Sequence, residues 1–383
     1  MKPAYSLRST KIVPSGGFVA KLPSGTLKRS THHEVLINEL RFFYPDETRA
    51  EHSKRISDDT CEYLVSIGAE SFLTARYPSL QEQGDVVVIP NGMLLDAPHN
   101  YNNGLFEWRG RLMMCYRRHL ENAFSEIAVC EIDRDTLLPS TKFPQFTLDI
   151  PKEFDNEDHE DARIFWFGDE IFVSYTMWRR AVSPTGRWLY MPRIDVAAFD
   201  DEWNFKYKFT PDYDGNGEIP QKNWTFFVHG IDLMFVYDFS HHVVCKVTDS
   251  GRCDAVFTPG ITWNYGTIRG STPPQRISDT EYLSFFHSRK RDEAAPFKNR
   301  YYAGAYCFEA KEPFRITRYT EEPVFAGSES NQQWDTDLAC VFPCGLVIDG
   351  ETALVSMGSN DMECAIGRVN IPQLLETMTS HDT

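Results

Sequence analysis

No apolar run in this 383-residue chain approaches the roughly 18 residues that a membrane-spanning helix requires, so no such helix is expected. The N-terminal segment MKPAYSLRSTKIVPSGGF carries positive charge but no apolar stretch, which excludes a secretory signal there and predicts a cytoplasmic protein. Paired CxxC motifs are also missing. The nine cysteines are scattered and odd in number, which argues against a disulfide framework and for buried free thiols in a reducing compartment. Basic residues are outnumbered, 39 Lys and Arg against 55 Asp and Glu, and the formal charge of −16 disfavours attraction to nucleic acid or to anionic membranes. A complete calcium loop is lacking as well. Asp212-Tyr213-Asp214-Gly215-Asn216-Gly217 starts like one, but Pro220 and Asn223 stand at the ninth and twelfth positions, and an Asx/Gly turn is expected instead. Nor do His32-His33 and His241-His242 make chelates, because neighbours on a strand point to opposite faces. No metal and no cofactor is expected.

What is abundant is aromatic. The 27 Phe, 17 Tyr and 8 Trp suit an all-β protein, and such rings, where exposed, stack on sugars or bases. Residues 1–97 differ from the rest: they hold Pro/Ser/Gly stretches such as Val13-Pro14-Ser15-Gly16-Gly17 and the best helical pattern, Asp58 to Ala75. Ser57 and Asp58 can cap that helix, and Leu64, Val65, Ile67, Phe72 and Leu73 supply its apolar face. From residue 98 hairpin-like clusters recur: Gly104–Tyr116, Arg163–Tyr175, Trp224–Tyr237, Tyr282–His287 with Tyr301–Phe308, and Leu338–Ile348 with Ala353–Gly358. Five clusters at about 55 residues each predict a five-bladed β-propeller over 98–372, with 1–97 as an extension that packs on it or closes it and 373–383 as a tail. A pair of stacked sheets is the structural alternative.

His159-Glu160-Asp161-Ala162-Arg163 stands directly before the apolar run Ile164-Phe165-Trp166-Phe167. Charged residues at a strand end are ordinarily just solvated. In a propeller, however, the inner strands of several blades end near the central channel, and polar residues there converge on one pocket.

Five stretches in order resemble the family of inverting mannoside phosphorylases and β-mannosidases, with its glycosyltransferase relatives. They are Glu160-Asp161-Ala162-Arg163-Ile164, Lys222-Asn223-Trp224, the loop Arg269 to Pro274 with Phe285-Phe286-His287, the segment Tyr301-Tyr302-Ala303-Gly304-Ala305 with Pro313 to Ile316, and Val341 to Gly345 with Gly358-Ser359-Asn360-Asp361. The resemblance implies a five-bladed propeller acting on β-mannoside-like bonds with inversion. It makes Asp161 the general acid, which protonates the leaving oxygen through a sugar hydroxyl. That role needs a carboxyl kept protonated by burial or by a neighbouring acid, and Glu160 and Asp158 are at hand. Arg163 would orient the carboxylates or hold substrate oxygens. Asn102, Arg117, Lys222, Asn223, Tyr302 and Asp361 match further substrate-contacting positions.

Two departures stand out. Ala162 replaces the family's proline. Asp238 ends a strand where phosphorylases place a phosphate-holding arginine, and a carboxylate there repels phosphate. His241, His242, Arg269 and His287 could still form an anion site. Hydrolysis or transfer is therefore expected rather than efficient phosphorolysis, with Asp238 as a candidate second acid. The expected partner is a saccharide, sugar phosphate or nucleotide-sugar. A catalytically silent propeller that binds glycans or proteins is the other functional class, and the presence of two acids in one pocket separates the two. Trp178-Arg179-Arg180, Trp188 and the run Ser288-Arg289-Lys290-Arg291 read first as surface loops, and second as a stacking platform and a cover over the pocket mouth.

Overall fold

The computed structural model describes residues 84–120, 124–154, 157–182, 188–239, 241–291, 299–327 and 338–381, together with 6–7, 18–21, 27–30, 40–41, 44–49, 51–52 and 73–74. The chain divides into two compact units, 1–79 with 290–300 and 328–339, and 80–289 with 301–327 and 340–383. In the first unit Ser6–Leu7 pairs with Leu73–Thr74, and Phe18–Lys21 with Leu27–Ser30. Most of the helix expected over 58–75, and His32-His33, lie outside the described residues; Leu73–Thr74, at the end of that pattern, is strand.

The second unit is all-β and propeller-like, with a single described α-helix, Ile371–Glu376. Four of its sheets have four antiparallel strands. The first comprises His99–Trp108, Arg111–His119, Ser125–Ile132 and Phe146–Thr147. The second comprises Glu157–Phe167, Glu170–Val182, Trp188–Phe199 and Phe205–Phe209, and the third Thr225–His229, Asp232–Asp238, His241–Val247 and Cys253–Pro259. The last consists of Val341–Asp349, Thr352–Ser359 and Glu363–Asn370, completed by Asp85–Ile89 from the other end of the unit. The expected start at residue 98 leaves out this closing strand, whose run Val86-Val87-Val88-Ile89 pairs with Cys364 to Gly367.

The expectation of five like blades needs correction, because only four sheets have that form. The segment from Thr267 builds a larger sheet whose main path runs through Thr267–Gly270, Glu281–Arg291, Asn299–Glu309, Ile316–Thr320 and Met378–Ser380. Its second and third strands have 11 residues each, long enough to pair with additional short segments such as Gln275–Arg276 and Phe325–Ala326.

Apolar residues on both faces of a strand explain the packing, since successive side chains point to opposite sides. In Arg111–His119, Met113 and Cys115 pack with Ile164 and Val173 of the second sheet, whereas Leu112, Met114 and Tyr116 pack with Leu354 and Ile366 of the last. Phe172 and Val196 likewise meet Phe226 and Phe235 of the third sheet. Aromatics fill these layers: Trp224 and Phe235 stack at 4.6 Å with ring planes 2° apart. The leading strands of neighbouring sheets then approach one another, and their backbones nearly touch at glycines. A Cβ on Gly345 would collide with the Leu105 backbone nitrogen. Among the described residues no helix is long and apolar enough to cross a membrane.

Candidate functional site

The site is assembled by a repeated backbone device. The pairing register slips between Tyr101 and Gly104 in the first sheet and between Glu160 and Arg163 in the second. Such bulges re-aim side chains. Asn102 and Asp161 sit in them with φ of 50° and 53°. Asn223, just ahead of its strand, has φ of 66°, and Asp361, in the turn after Ser359, has φ of 54°. Left-handed backbone is uncommon outside glycine, and Asn and Asp tolerate it best. Four of the ten described non-glycine residues with positive φ thus line one cavity of about 200 Å³.

Asn102 Nδ2 donates to Asp161 Oδ1 at 2.8 Å. Arg117 donates from Nη2 to Glu160 Oε1 at 2.7 Å and from Nε to Ser125 Oγ at 2.8 Å, and its Nη1 lies 4.0 Å from Asp161. Lys222 Nζ is 3.5 Å from Glu160 Oε2. Among the described residues the buried Asn102 Oδ1 and Asn223 Oδ1 find no hydrogen-bond partner. Gly358 makes room for Asn102, since a Cβ there would overlap the Asn102 side-chain oxygen. Gly358→Ala is therefore expected to cost about 1–3 kcal/mol through overpacking and to break the Asn102–Asp161 bond. A thermal melt together with a ligand titration checks this; an unchanged midpoint and affinity would refute the close approach.

Although the chain carries −16, the cavity wall is cationic: Arg117, Lys222, Arg269 and Arg289 face two carboxylates, Asp161 and Asp361. Burial pushes the Asp161 carboxyl up, but Lys222, Arg117, the Asn102 hydrogen bond and Arg163 together outweigh it and hold Asp161 below its ordinary value. Glu160 shifts upward, as burial and the neighbouring Asp161 and Asp158 prevail over Arg117 and Lys222. Burial also raises Asp361, with Asp161 adding to it. In the free site Asp161 is thus held towards its ionised form, and Glu160 and Asp361 towards their protonated forms.

The cavity unites Asn102, Arg117, Asp161, Lys222, Asn223, Arg269, His287 and Asp361 of the expected set. Glu160 is buried behind it on Arg117 and Lys222. Arg163 is buried beneath, donating to the carbonyls of Ser271 at 2.5 Å and Asp161 at 2.8 Å, so it positions the bulge and does not line the cavity. Tyr302 is displaced by strand alternation: Tyr301 lines the cavity, while Tyr302 packs on Tyr265 at 5.0 Å. Asp238 lines a neighbouring cavity, not this one, which removes the charge argument against phosphate here. His242 belongs to the core between Phe239, Tyr306 and Phe308 and has no place in the site. Arg289, Phe342 and Cys340 line it too: Arg289 came from the run read secondly as a cover over the pocket mouth, Phe342 from a stretch of the family resemblance, and Cys340 was not anticipated. Arg289 had a further signal, two residues beyond His287 and hence on the same strand face; Cys340 had none.

Burial depresses both His242 and His287 to about 3, and Arg163 and Arg269 add to the effect on His287. Above pH 6.5 these rings are neutral folded or unfolded. Below it the unfolded chain binds protons that the folded chain refuses, so stability falls by about 1.4 kcal/mol per pH unit for each ring. Between pH 7 and pH 5 a loss of up to about 4 kcal/mol is expected, partly offset by the raised Glu160 and Asp361. Urea melts should show it, and His242→Phe should remove about half; a slope that is the same with and without His242 contradicts the assignment.

A family model described as beta-1,4-mannooligosaccharide phosphorylase, that of glycoside hydrolase family 130, matches residues 83–380. No curated protein matches. Among solved structures, a β-1,2-mannobiose phosphorylase from Listeria innocua, in complex with β-1,2-mannobiose, is 15% identical over 76% of this chain and 99% of its own, with a TM-score of 0.55. A structure from the GH130 family of mannoside phosphorylases, described with glycoside hydrolases that target β-1,2 mannosidic linkages in Candida mannan, is 15% identical over 78% of this chain and 93% of its own, at 0.56. A GDP-Man-dependent mannosyltransferase from Leishmania mexicana is 14% identical over 75% of this chain and 90% of its own, at 0.50. At these identities the likeness is one of fold.

Proposed function

This chain belongs to glycoside hydrolase family 130, and on that premise we propose that it acts on β-mannoside-like bonds with inversion, by glycosyl transfer from a phosphorylated mannosyl donor to a saccharide hydroxyl. The observation that carries this reading is the wall of Arg117, Lys222, Arg269 and Arg289 around Asp161, whose carboxyl is held below its ordinary value. Cations of this kind suit a phosphate or diphosphate leaving group, and Arg pairs well with phosphate oxygens. An ionised carboxylate beside them suits a base. In the transfer step the bond from C1 to the phosphate oxygen breaks and its electron pair stays on phosphate. The acceptor oxygen bonds to C1 from the opposite face, and its proton passes to Asp161. The reverse step is phosphorolysis with Asp161 as acid. The cavity of about 200 Å³ suits one sugar ring rather than an oligosaccharide, since sites for drug-sized ligands run to about 300–1,000 Å³.

Hydrolysis is the second reading, and Asp361 supports it: a raised carboxyl in the same cavity as Asp161 supplies the second acid that Asp238 was expected to be. Two acids in one cavity also favour an enzyme over a silent binding propeller. We read the larger sheet as the fifth blade, because its core is shared with the third sheet on one side and the last on the other. The propeller would be the catalytic domain, and residues before it an extension.

The test is a screen of the purified protein with mannose 1-phosphate, GDP-mannose and β-manno-oligosaccharides, with and without phosphate and with mannose as acceptor. New β-mannosides from a phosphorylated donor, with inverted configuration at C1, support transfer. Release of mannose from oligosaccharides without phosphate replaces it with hydrolysis. Inactivity throughout favours the binding propeller.

A further inference from the structure

A second cavity, about 490 Å³, adjoins the first, and Lys222 and Arg269 line both. The wall between the two is therefore cationic. Beyond it the lining includes the rings of Trp178 and Tyr237 beside Pro192, Pro220 and Ile268, and carries one carboxylate, Asp238. Lys222 Nζ sits 4.0 Å over the Trp178 ring, and Asp238 Oδ1 is fixed by the Phe239 N–H at 2.7 Å. Resting on the transfer reading, we infer that this second cavity holds the nucleoside of a nucleoside diphosphate donor, with the phosphates against Lys222 and Arg269 and the sugar in the smaller cavity.

The argument comes from the geometry of inversion. Entering and departing groups lie on opposite faces of the sugar. If the phosphates lie against Lys222 and Arg269, a group on the far side of those cations is on the departing side, and it must be bonded to the phosphate. It cannot be the acceptor. Chemistry then narrows its class. The half-buried rings of Trp178 and Tyr237 can stack a base whatever its identity. A carboxylate accepts hydrogen bonds from base N–H groups and repels phosphate oxygens, which keeps the anion at the shared wall. The second cavity, about 490 Å³ against about 200 Å³, also has room for a group larger than the sugar. Asp238 is thereby a specificity residue for the donor rather than a proton-transfer group.

Calorimetric titration of the full chain with pyrophosphate, GDP, UDP, ADP, mannose 1-phosphate and β-1,2-mannobiose tests this. At least one nucleoside diphosphate should bind about ten-fold or more tightly than pyrophosphate. In Trp178→Ala and in Asp238→Asn that ratio should fall towards one. Equal affinity for pyrophosphate and all three nucleotides overturns the inference, as does a ratio that survives in both variants. Mannobiose binding that is lost in Trp178→Ala assigns the cavity to a saccharide and also overturns it. The readout is binding, so it stands apart from turnover. Nucleotide binding without transfer would sink the transfer reading and leave the site, whereas transfer from mannose 1-phosphate without a nucleotide advantage would do the reverse.

Discussion

Asp161→Asn is expected to lower turnover by about 10²–10⁴-fold, the usual contribution of a positioned acid or base, while the protein stays folded. The substitution preserves shape and can still accept from Asn102 Nδ2, the bond seen at 2.8 Å. Glu160 remains on Arg117 and Lys222, so those cations keep a partner. What is lost is a group able to take a proton. Anion affinity should rise, since one carboxylate fewer opposes the four cations of the wall. The pH profile adds a signature that a structural role would not produce. Lys222 and Arg117 help hold Asp161 low in the free enzyme, against burial. A bound phosphate partly cancels their field, so the carboxyl rises in the complex. The acid limb of kcat should therefore lie at higher pH than that of kcat/KM, and both limbs should vanish in the variant. Steady-state rates across pH decide the matter: a wild-type rate in Asp161→Asn returns the Glu160, Asp161 and Arg163 cluster to a purely structural role.

Arg117→Met should have the largest effect on stability. Arg117 and Glu160 are paired at 2.7 Å with side chains only 14% and 10% exposed, and Asp161 is 4.0 Å away. Removing the guanidinium leaves two adjacent buried carboxylates with Lys222 as the nearest remaining cation to Glu160. Breaking a buried pair from one side costs about 3–5 kcal/mol, which corresponds to roughly 10 °C in Tm for a domain of this size. Adding Glu160→Gln to Arg117→Met should recover part of the loss, because the stranded charge is then gone. Urea melts of the two single variants and the double variant measure it as a cycle. A loss below about 1 kcal/mol would place this pair with exposed salt bridges, which contribute little.

The sequence by itself determined the class of this fold and pointed to most of the residues that line the cavity. Runs such as Leu112-Met113-Met114-Cys115-Tyr116 are apolar on both faces, as suits a strand between two packed sheets. Asn102, Asp161, Asn223 and Asp361 were legible from the family resemblance, and positive φ supplies the physical reason: short polar side chains serve where the backbone must turn left-handed to aim at the cavity. Tertiary structure alone decided the rest. Strand alternation chose Tyr301 over Tyr302. Register and blade contact put His242 among aromatic rings and Asp238 in the adjoining cavity. The last sheet was closed by Asp85–Ile89, whose Asp85 lies 283 residues from its partner Arg368, a pairing that no local pattern specifies. The protonation of Asp161 was likewise undecidable along the chain. A carboxyl's pKa follows from which charges surround it in space, and Lys222, Arg117 and Asn102 reach it only when three sheets come together.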